Sequence, residues 1–166
     1  MPSAATPSTL SDMFFEDFRE GETIAFGHWT ATREEIIEYG RTFDPQPFHV
    51  SEETAKDSNI GRLIASGYHT CSILMRLAAD HVLGGENAFG SPGVDDVRFL
   101  KPVEPGDELT ARITCLSKRE LRSKPGVGVM HCNMSLVNGR GEEVIIWDFN
   151  VFRRMRSWQA SKRGAD

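Results

Sequence analysis

Residues 66–83 read as one helix that is apolar on most of its sides, and that constrains everything around it. Cys71, Leu74, Met75, Ala78 and Val82 fall at helical spacing, and Ile73 and Leu77 widen the stripe. Ser66 can cap its start and Gly84-Gly85 can stop it. A helix apolar on most sides must be enclosed. At ~1.5 Å per residue it would be about 27 Å long, so a whole sheet is needed to cover it.

The second half of the chain can supply that sheet. Residues 94–100 form one candidate strand. In 108–117, Leu109, Ala111, Ile113 and Cys115 alternate onto one face. In 129–137, Met130, Cys132, Met134 and Leu136 do the same, and Asn138-Gly139 marks a turn. In 143–152, Ile145, Trp147, Phe149 and Val151 share a face. Successive strands with short turns imply an antiparallel sheet. The fold class expected is therefore α+β, one buried helix wrapped by a curved antiparallel sheet. The uncovered apolar edges call for a partner, so a homodimer is expected.

The first half is shorter in its elements. Residues 22–29 alternate as a first strand. Thr32 and Glu35 have the form of a capping box, which predicts a helix over 33–42 burying Ile36, Ile37 and Gly40. Asp44 precedes Pro45, so that helix stops near Phe43. Ser51 can cap a short helix reaching about Lys56. One domain over 12–156 is expected, flanked by flexible tails at 1–11 and 157–166.

Composition narrows the function classes. The net charge of −5 argues against non-specific nucleic-acid binding. Cys71, Cys115 and Cys132 are odd in number and widely spaced, which fits neither a disulfide framework nor a zinc site. A reduced, cytoplasmic setting is expected. No stretch has the ~20 apolar residues of a membrane span, and residues 1–12 lack the pattern of a signal peptide.

The chemistry-bearing stretch is Phe43-Asp44-Pro45-Gln46-Pro47-Phe48-His49-Val50. A carboxylate and an imidazole sit five positions apart on a proline-stiffened link, expected as a loop. Such a pair can hold a water and move protons near neutral pH. Gly67, at the head of the long helix, would let a ligand approach backbone N–H groups that favour negative charge. A plainly structural reading also fits. Asp44 would start a proline turn, His49 would pack at a helix start, and Gly67 would open a helix beside a close strand. His69 could reach the site, although packing at the helix start is the simpler role. His28, His81 and His131 are expected to satisfy local hydrogen bonds. No P-loop, G-x-S-x-G or metal-ligand spacing is present.

Three stretches resemble the MaoC-like dehydratases, the hot-dog-fold group that includes (R)-specific enoyl-CoA hydratases. They are residues 39–50, close to a D-x-N-P-x-H motif; residues 61–67, Gly-Arg-Leu-Ile-Ala-Ser-Gly; and residues 97–109, close to F-x-x-P-V-x-x-G-D. The resemblance runs over about 17–153. It implies that Asp44 and His49 activate a water for addition to a trans-2-enoyl thioester, with the Gly67 N–H as oxyanion donor. The reverse is dehydration of a 3-hydroxyacyl-CoA. Gln46, Pro47, Ser66, Tyr68 and Arg98 would contact the substrate, an acyl-CoA or acyl-carrier-protein thioester, without metal or cofactor. Arg62 and Lys101 are further candidates for CoA phosphates.

The chain departs from the family pattern at three places. Gln46 replaces Asn, Ser66 replaces the His that often precedes the glycine, and Met75 stands where hydratases place a Ser. A hot-dog thioesterase is the alternative enzyme, with Asp80 or Glu86 as its carboxylate. A non-catalytic acyl-thioester-binding module is the third reading. Residues 85–93, rich in glycine, are expected as a flap or a connecting loop.

Overall fold

The computed structural model describes residues 9–158. Strand β1 (Thr23–Thr30) is followed by helix α1 (Arg33–Phe43) and two short helices, α2 (Pro47–Val50) and α3 (Glu52–Lys56). Helix α4 (Gly67–Ala78) continues into a π-helical turn, Ala79–Leu83. Strands β2 (Ala88–Gly90), β3 (Val94–Phe99), β4 (Glu108–Glu120), β5 (Val127–Asn138) and β6 (Glu143–Arg154) complete the chain.

The sheet is antiparallel in the order β1-β4-β5-β6-β2, and β3 also pairs with β6. It curls as a half-barrel around α4, the hot-dog arrangement. The alternation predicted for β4, β5 and β6 is the alternation observed. Leu109, Ala111, Ile113, Cys115, Met130, Cys132, Met134, Leu136, Ile145 and Val151 are all buried in one core. A bulge after Cys115 ends the pattern and leaves Leu116 exposed.

The N-terminal elements follow their local signals. The Thr32 side chain accepts from the Glu35 N–H, and Ser51 accepts from the Thr54 N–H. Ile36, Ile37 and Gly40 are the buried residues of α1. Gly40 is required by proximity: a Cβ there would stand 2.2 Å from the His49 carbonyl oxygen. That contact seats α1 directly on α2.

Three expectations are corrected. The buried face of α4 is His69, Thr70, Ile73, Leu74, Leu77 and Ala78, while Met75 is 45% exposed. One side of the helix meets the sheet and the other is left open in the protomer. The 85–93 segment contains β2, hydrogen-bonded to the end of β6. Residues 10–12 and 158, expected within the tails, are packed on the domain. Leu10–Asp12 forms a 3-10 turn held by the fully buried Arg153 guanidinium, which donates to Leu10 O, Met13 O and Val82 O. Trp158 stands edge-on to Phe89 at 5.7 Å. The rest of the two segments expected as tails, 1–8 and 159–166, lies outside the described residues. Among the described residues no helix is long and apolar enough to cross a membrane.

Candidate active site

Asp44 is the C-cap of α1, its N–H donating to Gly40 O at 2.9 Å. Gln46 then caps α2, with Pro47 at its first turn, so His49 sits on a helical turn rather than on the expected loop. Proline suits that position because its missing N–H would have no helical partner there. The chain returns through Ile64, whose N–H donates to Phe48 O, and Ala65, whose N–H donates to Val103 O. This brings Ser66 and the start of α4 up against Asp44.

The Asp44 carboxylate is held by two hydrogen bonds and stands beside an imidazole. Ser66 Oγ donates to Oδ2 at 2.6 Å, Gln46 Nε2 donates to Oδ1 at 2.9 Å, and His49 Nε2 lies 3.4 Å from Oδ2. The Ser66 hydroxyl foremost, then the Gln46 amide and the His49 ring, hold the carboxyl below the usual range against the opposing effect of burial. Ser66 is itself buried and also caps α4 by accepting from the Tyr68 N–H at 3.2 Å.

His49 is 4% exposed. Its Nδ1 lies 2.7 Å from the Ile64 carbonyl oxygen. A carbonyl only accepts, so Nδ1 carries the proton, and in the neutral ring Nε2 is left as an acceptor. That acceptor faces the Asp44 Oδ2 acceptor at 3.4 Å. Two acceptors so placed can both take hydrogen bonds from one water, and one of them can take its proton.

Gly67 is the first residue of α4, where a helical N–H has no partner within the helix. Its backbone angle is not in the left-handed region. Glycine is needed here for space: a Cβ would stand 2.7 Å from Cζ of Phe99.

Asp44, Gln46, His49, Gly67 and Tyr68 line one cavity of about 600 Å³. Its polar end is this cluster. Its apolar wall comes from Phe48, Ala65, Phe99, Leu100, Val103 and Val144, and Arg62 and Lys101 stand among its lining residues. Arg62 pairs with Glu104 at 3.0 Å, and Lys101 reaches Glu142 at 3.9 Å.

Other named residues lie elsewhere. Pro47 starts α2 and its carbonyl accepts from Thr54 Oγ1. Arg98 pairs with Asp96 at 3.1 Å and Asp148 at 3.7 Å. Neither lines the cavity, nor does Met75. Asp80 is engaged by Arg76 at 2.7 Å, and the exposed Glu86 faces Arg154. His69 is buried, stacked on Tyr39 at 4.7 Å, and burial pushes its imidazole down despite the nearby Glu35. His28 pairs with Glu108 at the surface.

Sequence reasoning missed the apolar wall and the partner that fixes His49. Phe99 lies inside the F-x-x-P-V stretch, so its motif was visible although its contact was not. The Ile64 carbonyl carries no sequence signal at all.

The family model described as the MaoC like domain matches residues 17–133. The chain is 29% identical over 139 residues to the uncharacterized protein YdeM of Bacillus subtilis, covering 84% of this chain and 97% of that one. Among solved structures, a MaoC-like dehydratase from Rhodospirillum rubrum is 32% identical, with a TM-score of 0.79 over 87% of this chain and 98% of that one. The R-hydratase PhaJ1 from Pseudomonas aeruginosa shares the fold at 17% identity, with a TM-score of 0.66 over 89% of this chain and 88% of that one.

Proposed function

The chain belongs to the MaoC-like dehydratase family, and from that premise we propose that it interconverts trans-2-enoyl-CoA and 3-hydroxyacyl-CoA. The observation that carries this is the facing pair, His49 Nε2 and Asp44 Oδ2, 3.4 Å apart on a cavity that also holds the head of α4. A water shared by the pair adds to C3 of the enoyl thioester. One member of the pair takes its proton, and that same proton is then delivered to C2, so the pair ends as it began. Charge developing on the thioester oxygen is met by the Gly67 N–H at the helix start. Dehydration runs the same steps backwards.

The apolar wall suits an acyl chain, and the Arg62 and Lys101 side chains suit the anionic carrier, CoA or an acyl-carrier protein. A dimer-based assembly is part of the same reading, supported by the exposed apolar residues of β3. The thioesterase alternative lacks support, since neither Asp80 nor Glu86 lines the cavity.

The test uses trans-2-butenoyl-CoA, following loss of the conjugated thioester and release of free thiol in parallel. Hydration without thiol release is expected. Asp44→Asn and His49→Ala should each lower kcat/KM by about 10²–10⁴-fold, the usual range for a general acid or base. Thiol release in place of hydration, or variants as active as the parent, would overturn the assignment.

A further inference from the structure

We propose that Phe99 selects the acyl group at C2, admitting unbranched enoyl thioesters and excluding those substituted there. This rests on the hydratase reading of the site. Phe99 ends β3, where its backbone is set in the ladder opposite Ile145, and the next N–H, of Leu100, donates to Val144 O at 2.9 Å. The position of its Cα is therefore fixed by β6. Its ring turns onto the first turn of α4. Three ring carbons fall within 3.0 Å of where a Gly67 Cβ would stand, and the Tyr68 ring meets it at a steep angle, 6.2 Å between centroids.

The ring lines the cavity that holds Asp44 and His49. A carbonyl polarised by the Gly67 N–H must lie beside that ring. C2 is bonded directly to the carbonyl carbon, so a substituent on C2 competes with the ring for the same space. The acid–base pair must reach C2 and C3 and cannot withdraw to make room. A clash of one methyl group in an apolar pocket typically discriminates by about 10–200-fold in kcat/KM.

The experiment compares trans-2-butenoyl-CoA with its 2-methyl homologue on the full chain and on Phe99→Ala and Phe99→Leu. The parent should favour the unbranched substrate by at least about tenfold. Phe99→Ala should erase most of that preference, with Phe99→Leu between the two. Melting curves establish that each variant is folded, and Phe99→Leu carries the test should Phe99→Ala not fold. A parent with no preference, or variants that keep the parent's ratio, would overturn the proposal. If the parent hydrates neither substrate, the hydratase reading fails separately. The same ratio is then read as dissociation constants for butanoyl-CoA and 2-methylbutanoyl-CoA, where equal ratios in parent and variants again overturn it.

Discussion

The stretch carrying Asp44, His49 and Ser66 is closed on itself, whereas all six residues of β3 are exposed. In the first region each polar group has a named partner: Ser66 and Gln46 on Asp44, Ile64 on His49, Tyr68 on Ser66. In the second, Val94, Val97 and Phe99 stand open to solvent on a strand that, among the described residues, pairs only with β6. The two regions meet at Gly67, where a Cβ would stand 2.7 Å from the Phe99 ring. On the proposed function, the groups that would react are held within one protomer, while one part of the apolar wall, Phe99, comes from an edge strand. Rigidity serves proton transfer, which is sensitive to distances of an ångström. An edge strand can change its side chains without disturbing that geometry.

Placing a methyl group at the junction breaks the comparison most directly. Gly67→Ala costs no backbone strain, since the residue is helical, and it gains helix propensity. Its Cβ must displace the Phe99 ring from 2.7 Å. Displacement by about an ångström at the reacting centre should lower kcat/KM by up to ~10²-fold. Gly67→Ala combined with Phe99→Ala restores the room, so the double variant should be more active than Gly67→Ala alone. Steady-state kinetics on the four proteins of the cycle measures this coupling. Additive losses would mean that the two regions do not touch in function.

Ser66→Ala tests how far the closed region depends on its internal bonds. The substitution removes the α4 cap and the main group holding the Asp44 carboxyl down. A carboxyl lowered in the folded state stabilises the fold above its unfolded pKa, and that contribution is lost as pH falls through the folded value. The variant should therefore be less stable by about 1–2 kcal/mol at pH 7. At acid pH, as the Asp44 carboxylate takes up its proton, the gap should narrow to the contribution of the cap. Urea unfolding at the two pH values reads this directly. An unchanged gap would assign the whole effect to the cap.

The closed region was also the harder one to read from the sequence. Asp44 and His49 are five positions apart and stood out, and the Thr32 capping box and the strand alternation gave most of the fold. The Ser66–Asp44 bond spans 22 positions, and a helix-capping serine looks the same whether or not it also donates to a distant carboxylate. Pro45 and Pro47 read as a loop because proline breaks helices, yet Pro47 sits at the one helical position it favours. Helical spacing showed that α4 was apolar on several sides but could not tell which side meets the sheet, and Met75 fell on the open one. β2 has three residues, too few for an alternation to register.

Val97→Asp carries the smallest effect on the protomer. Val97 pairs in register with Trp147 but is 38% exposed, and its strand has no second neighbour among the described residues. Substitutions at such positions usually change stability by no more than about 0.5 kcal/mol. A charge inside an apolar interface is far less tolerated, because it must be desolvated without a partner. Sedimentation across a range of protein concentrations should then show a weakened dimer, while melting in the dilute, dissociated protein stays near that of the parent. An assembly unaffected by Val97→Asp would place the interface elsewhere and leave β3 a solvent-exposed edge. Of the apolar residues of that strand, Phe99 would then serve only the cavity it lines.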